Sequence, residues 1–415
     1  MADPDGYLAG LERVGWKLGT ERVEALLARL GDPQRAYATI HVVGTNGKSS
    51  TTRMIAALLA AGREAWKTRP VGAMTSPHRL EWRERTEVAG RPIEPEAWGR
   101  AVAAVAAADP TDLGATQFEV AAAASFWALR EAGVDVAVVE AGLGGRLDAT
   151  NVLDSTVSVL SGIGLDHTDW LGDSELEIAA EKLAVLRPGS SLVVGRCSGA
   201  VAELAAATAS ERGARLVWSN DSAIGDRPGA PYLRRNLALA VAAVREFGVE
   251  VGDGEIASAA GIFLPGRFEV IAGEPVIVLD AAHNSDGARA LAEALAAADP
   301  AELPRPRIGC VGLLADKDAA AVLGQMLGHL DQLVCTAISP PSGSGRVQVP
   351  PHTPDGLVKL SIPLGFSATA VADPSKAIAD VIALAMRRRG TAVLFGSHYL
   401  LNQLWTVKRA RCSSK

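Results

Sequence analysis

Apolar residues along this chain follow two periods. Short β-branched or aliphatic runs bounded by Gly, Pro, Asn or Asp predict strands, and longer stretches with apolar positions three and four apart predict helices. The strand-like runs are Thr39–Val43, Val134–Val139, Ser155–Leu160, Ser191–Gly195, Val276–Asp280, Arg307–Val311, Gln332–Ile338 and Thr391–Phe395. Helical periodicity marks two short segments within residues 7–30, the stretch Met54–Leu59, and then Gln117–Arg130, Ser174–Leu186, Ala200–Glu211, Tyr232–Phe247, Asp286–Ala298 and Ser375–Arg389. The Ala-rich runs Ala101–Ala108 and Ala121–Ala124 read as ordinary helices, and Asn220–Gly229 and Ser339–Thr353 as loops. Strand and helix alternate at a spacing that predicts parallel pairing, hence an α/β fold with a doubly wound sheet. Leu264-Pro265-Gly266-Arg267-Phe268-Glu269 reads as a hinge, dividing the chain into residues 1–264 and a smaller α/β domain, 265–415.

Candidate chemistry concentrates just beyond strand ends, where sites in such sheets lie. The strand Thr39–Val43 runs into Gly44-Thr45-Asn46-Gly47-Lys48-Ser49-Ser50 and then a helix. Glycines permit a sharp turn and close approach to a ligand, and amides at a helix start attract anions. A Lys and hydroxyls beside them suit a nucleoside triphosphate and its magnesium ion. The general phosphate-loop pattern has Gly where this chain has Val42, so the loop is a variant. Glu140 stands just beyond the strand Val134–Val139, at a place where a carboxylate can serve magnesium as an oxygen ligand.

GTNGKSS, preceded by Ile40-His41, resembles the phosphate loop of the folylpolyglutamate synthase and dihydrofolate synthase branch of the Mur ligase superfamily. The resemblance runs from Gly15 to Leu400 and rests most on GTNGK, on GLGGRLDATN after Glu140 and on DAAHN from Asp280. It implies an N-terminal P-loop nucleotide-binding domain with a mostly parallel sheet and a Rossmann-like C-terminal domain, with ATP in the cleft between them. By that resemblance Thr45, Asn46, Gly47, Lys48, Ser49, Ser50, Asn236, Arg267 of PGRFE, Asp280 and His283 meet ATP. Ser76 of TSPH, Glu140 and His167 of GLDHT hold magnesium, in one or two ions. Lys182 stands where the family's carbamylated Lys supplies oxygen to a second ion, although EKLAVLRPG departs from the family's text around it. Lys48, Lys182 and His283 are the expected catalytic residues. Asp316-Lys317-Asp318 and Ser397 fall where the family meets the incoming amino acid, and Arg146 and Asp148 are expected to fix their loop.

The implied reaction is ATP-dependent addition of L-glutamate to the carboxylate of dihydropteroate or a reduced folate, through an acyl phosphate. RLEWRERTEVAG after His78 matches the family at Glu84 and Arg85 and departs around them. That leaves a related ligase with another acyl substrate open, and beside it a P-loop ATPase that forms no amide bond.

Composition narrows the partners. A net charge of −6 without a basic block argues against nucleic acid. Cys197, Cys310, Cys335 and Cys412 are far apart and form no CxxC, which argues against a zinc site or disulfide framework and fits a reducing cytoplasm. The acidic opening MADPDGYLAGLERVG is unlike a signal peptide, and no stretch has the length of a membrane span. A cytoplasmic monomer acting on small molecules is expected.

Overall fold

The computed structural model describes residues 3–11, 17–62, 70–227, 229–338, 340 and 349–413. Most of the predicted loop Ser339–Thr353, and Gly15 and Trp16 of the opening segment, lie outside them. The chain forms two compact units. One comprises the described residues of Met1–Gly229 and Leu233–Ile262, the other those of Ala230–Tyr232, Phe263–Pro341 and Arg346–Lys415.

Among the described residues of the first unit, eight strands form one sheet: β1 (Ala38–Val43), β2 (Val71–Met74), β3 (Thr86–Val88), β4 (Arg91–Pro92), β5 (Val136–Glu140), β6 (Val157–Leu160), β7 (Ser191–Val194) and β8 (Arg215–Trp218). Their order is β4-β3-β2-β5-β1-β6-β7-β8, parallel from β2 to β8. β5 and β6 are buried throughout and β1 all but at its first residue, as their nearly unbroken apolar text requires of strands covered on both faces. The winding passes from β1 to β2 and β5 on one side, then to β6 on the other. Clefts open beyond the strand C-termini at such reversals.

Two short strands depart from the parallel plan. β2 pairs antiparallel with β3, and β3 with β4, through a turn at Ala89 and Gly90. Both turn residues have positive φ, the geometry whose twist matches a two-residue hairpin. Arg53, on the helix after β1, ties this ribbon down through Glu87, with Nε and Nη2 each 2.8 Å from Oε1.

That helix spans Lys48–Gly62 and starts well before the periodic text at Met54. Its first turns are polar, yet Ser50, Thr51 and Thr52 are buried, so apolar periodicity does not reveal them. The helix Glu175–Leu183 starts at a capping box built on Ser174. Ser174 Oγ accepts the N–H of Glu177, and Glu177 Oε2 accepts that of Ser174. Ile178, Ala179, Lys182 and Leu183 face inward together, a four-residue spacing that puts Lys182 on the apolar stripe.

The second unit contains, among the described residues, six strands: β9 (Glu269–Ile271), β10 (Val276–Asp280), β11 (Arg307–Val311), β12 (Gln332–Thr336), β13 (Ala368–Val371) and β14 (Thr391–Phe395). Their order is β13-β12-β11-β14-β10-β9, parallel except for β9 against β10. Asp280 pairs with Phe395, so the segments that follow β10 and β14 leave the sheet side by side. No helix among the described residues is long and apolar enough to cross a membrane.

Candidate active site

The turn after β1 needs both of its glycines. Gly44 (φ 150°) and Gly47 (φ 86°) lie where L side chains are strained. A Cβ on Gly44 would stand 2.1 Å from Ser161 Oγ, and one on Gly47 2.8 Å from Asn236 Oδ1. Lys48 Nζ curls back over this loop and donates to the carbonyls of Gly44 (3.0 Å) and Thr45 (3.3 Å). Asn236 is buried beside Gly47, and its Nδ2 has no hydrogen-bond partner among the described residues. An unpaired buried amide is costly unless a ligand uses it, so loop and Asn236 together fit an anionic nucleotide.

Beyond the end of β5, the Glu140 carboxylate is 2 % exposed. Its Oε1 accepts the Ser49 hydroxyl at 2.9 Å, and its Oε2 accepts the Ser76 N–H at 2.9 Å. Ser49 Oγ also lies 3.4 Å from the Ser76 carbonyl. The Glu140 carboxylate, the Ser49 hydroxyl and the Ser76 carbonyl are hard oxygens, the ligands magnesium prefers. Adjacent ligands of an octahedral ion at about 2.1 Å stand about 3 Å from one another, which is the Ser49–Glu140 spacing. The donor set therefore fits magnesium. Among the described residues no three His, Cys, Asp or Glu converge on a metal position.

His167 lies on the segment after β6, and its backbone is left-handed (φ 53°, ψ 40°). Strain of this kind at a non-glycine residue concentrates at functional sites. Asp166 Oδ1 accepts the His167 N–H at 2.9 Å.

Lys182 is 3 % exposed, not on a solvated helix face. Burial, reinforced by the neighbouring Lys48 ammonium, pulls its amine down to about 7; Asp166, Asp148 and Glu181 pull the other way. The loop after β5 braces its helix. A Cβ on Gly145 would stand 2.8 Å from Lys182 Cα, and Arg146 N–H donates to the Glu181 carbonyl at 2.9 Å. Asp148 holds that loop, as expected, by accepting from Leu143 N–H (2.7 Å) and from Thr150 N–H and Oγ1 (2.9 and 2.5 Å). Thr150 Oγ1 in turn lies 2.8 Å from His41 Nε2, inside β1.

In the second unit, Asp280 is held on three sides. Oδ2 accepts the Tyr232 hydroxyl at 2.6 Å and the Phe268 N–H at 2.9 Å, and Oδ1 accepts the Ala282 N–H at 3.0 Å. Burial raises its carboxyl pKa, opposed by the Arg267 guanidinium and these donors. Arg267 Nη2 reaches His398 Nε2 at 3.4 Å. His283 Nδ1 donates to the Ala281 carbonyl at 2.8 Å, which assigns the proton to that nitrogen because a carbonyl only accepts. Lys317 is 7 % exposed, with Asp316 at 3.4 Å, and Ser397 Oγ accepts the Tyr399 N–H at 3.1 Å.

The fold thus unites Ser49, Ser76 and Glu140 in one hydrogen-bonded group and brings Lys48, Asp166 and Asp148 within electrostatic reach of Lys182. Ser161 and Tyr232 carried no signal in the sequence, because a single hydroxyl joins a site only through long-range packing. Asp166 was legible only as part of the text around His167.

Models of two known domains match the chain: the Mur ligase middle domain over residues 42–218 and the Mur ligase glutamate ligase domain over residues 266–398. Dihydrofolate synthase/folylpolyglutamate synthase of Escherichia coli is 34% identical over 388 residues, 88% of each chain. The solved structure of E. coli FolC in complex with DHPP and ADP superposes with a TM-score of 0.85 at 29% identity, covering 98% of each chain. A bifunctional folylpolyglutamate synthase/dihydrofolate synthase with Mn, AMPPNP and L-glutamate bound gives a TM-score of 0.81 at 29% identity, again over 98% of each.

Proposed function

The chain belongs to the dihydrofolate synthase/folylpolyglutamate synthase family of Mur ligases, and from that we infer that it joins L-glutamate to the carboxylate of dihydropteroate, a reduced folate or both. It is an ATP-dependent carboxylate–amine ligase. A carboxylate is a poor acyl donor because its leaving group would be oxide. Transfer of the γ-phosphoryl group of ATP to it gives an acyl phosphate. Attack by the glutamate α-amine forms a tetrahedral intermediate, which expels phosphate and leaves the amide.

Both steps crowd anions, so the residues must above all offset charge and hold positions. We assign the phosphates to Asn46–Ser50 of the loop, with Lys48 released from its own loop carbonyls, and to the unpaired amide of Asn236; Thr45, expected to meet ATP, instead has its N–H and hydroxyl engaged by Gly162 and Gly164. Arg267, Asp280 and His283 are assigned to nucleotide and glutamate, as the family resemblance implies. Ser76, Glu140 and His167 would hold magnesium, with the Ser49 hydroxyl beside Glu140. Bound magnesium neutralises phosphate charge and polarises the phosphorus.

Lys182 is assigned a carbamate. With its amine pulled to about 7, a large neutral fraction exists at physiological pH. The neutral nitrogen adds to the carbon of carbon dioxide, one C=O π pair moves to oxygen, and the nitrogen loses a proton. The resulting anion would lie near the Lys48 ammonium and would offer oxygen to a second metal ion. We read the protein as a cytoplasmic monomer; light scattering tests the second part.

The single observation that carries this reading is the Ser49–Glu140–Ser76 group beside the phosphate loop. The test is ADP release with magnesium-ATP and L-glutamate, dihydropteroate and tetrahydrofolate being added separately and products weighed by mass spectrometry. Release that needs both partners, with a product one glutamyl unit heavier, is expected. Release indifferent to either pterin would move the acyl substrate elsewhere. ATP hydrolysis independent of glutamate would leave only an ATPase.

A further inference from the structure

Thr45 sits in the phosphate loop, yet its hydrogen-bonding groups are turned to a different segment. Its N–H donates to the Gly162 carbonyl at 2.6 Å, and its hydroxyl donates to the Gly164 carbonyl at 3.0 Å while accepting the Gly164 N–H at 3.3 Å. Ser161 completes the seam. Its N–H meets the Val43 carbonyl at 2.9 Å, and its hydroxyl spans the carbonyls of Val43 (3.2 Å) and Asn46 (2.8 Å). Residues 43–46 and 161–164 are therefore stitched together along their length. The stitched segment continues directly into Asp166, which acts electrostatically on Lys182, and into the left-handed His167.

We propose that Thr45 is a positioning residue that couples nucleotide binding to metal binding, because its hydroxyl clamps the phosphate loop to the turn that presents His167. It rests on the reading above of the loop as the nucleotide site and His167 as a metal ligand. A side chain that touched phosphate directly would present its hydroxyl to the ligand; this one has both its donor and its acceptor engaged by Gly164. Valine has nearly the same shape and neither capacity, so Thr45→Val leaves both polar groups of Gly164 without it. Thr45→Ser keeps both bonds.

The experiment measures ADP affinity of the full chain by calorimetry, once with chelator and once with saturating magnesium. The ratio of the two affinities is the coupling. In Thr45→Val the magnesium-induced gain should fall about fivefold, the worth of roughly one hydrogen bond, with metal-free affinity unchanged. Thr45→Ser should restore the gain. A structural role alone would shift the melting temperature without moving this ratio. If Thr45→Val does not fold, Thr45→Ala removes the hydroxyl without placing a methyl group against Gly164. A gain equal to that of the unaltered chain overturns the proposal. So does lowered metal-free affinity with an unchanged gain, which would make Thr45 a nucleotide ligand, and so does the absence of any gain in the unaltered chain. His167→Ala separates the two claims: a gain that survives it refutes His167 as a ligand, whatever Thr45 does.

Discussion

Ser49 and Glu140 share one hydrogen bond of 2.9 Å, so the hydroxyl that follows the loop lysine and the carboxylate that ends β5 act as one oxygen group. Glu140→Gln keeps an acceptor for Ser49 and removes the charge. With its amide nitrogen left against the Ser76 N–H, it should raise the magnesium concentration needed for half-maximal ADP release about 100-fold and lower the melting temperature slightly. A magnesium titration of the purified variant checks this.

Among the described residues Lys48 Nζ donates to carbonyls of its own loop, and these are readily exchanged for phosphate oxygens. Lys48→Ala should lower kcat about 10³-fold while circular dichroism and melting stay as in the unaltered chain. A folded variant that retained turnover would refute the loop as the phosphate site.

Lys182 carries a stability cost. Its amine titrates near 10.5 in an ordinary environment and about 7 here. Between those values the unfolded chain binds more protons than the folded one, so stability rises with pH across that window, and near pH 7 the cost is almost fully present. Lys182→Met should therefore stabilise the protein by about 1–4 kcal/mol at neutral pH in carbon dioxide-free buffer, while removing activity. Urea unfolding at pH 7 and pH 9 checks the sign. The same depressed value predicts that ¹³C-bicarbonate yields a carbamate resonance growing between pH 6 and 8 and missing from Lys182→Met.

His41 and His78 work in the acid range. Burial pulls each imidazole down to about 3, helped by Arg187 for the first and Arg85 for the second. Both are neutral in the fold above that value and protonate near 6.5 when unfolded. Their contribution is complete above pH 6.5 and is lost progressively as pH falls towards 3, by up to about 1.4 kcal/mol per pH unit for each. His41→Gln retains an N–H for Thr150 and should flatten the fall in urea midpoint between pH 6.5 and 4.5.

Tyr232 fixes Asp280 through a 2.6 Å hydrogen bond. Tyr232→Phe should raise KM for ATP about fivefold, with kcat little changed. Steady-state kinetics at saturating glutamate separates the two.

The strands of both sheet centres were legible because their apolar runs are nearly unbroken, and the motifs were legible because they stand at those strands' ends. β2, β3 and β4 were not. They are short, and Val71-Gly72-Ala73-Met74 and Thr86-Glu87-Val88 hold too few β-branched residues to stand out from the loops around them. Glu140, Lys182 and Asn236 could be located from text, but their burial could not, since it depends on which neighbours cover them. Lys182 shows this best. A Lys in EKL reads as a surface residue until Ile178 one turn earlier is seen to share its inward face. Ser161 and Tyr232 lie at the far end of that scale, as residues whose roles exist only in three dimensions.

The antiparallel ribbon at the edge of the first sheet has a consequence for how this enzyme can be altered. β3 and β4 are separated from β1 by β2 and β5, so their residues can change without shifting β1. Arg53–Glu87 is the fixed point, because it anchors the ribbon to the helix of the phosphate loop. A chimaera that takes residues 79–92 from a relative and keeps Glu87 should leave the helix Lys48–Gly62 in place while the text after His78 is exchanged. The ribbon is in that sense a replaceable block with one obligatory contact.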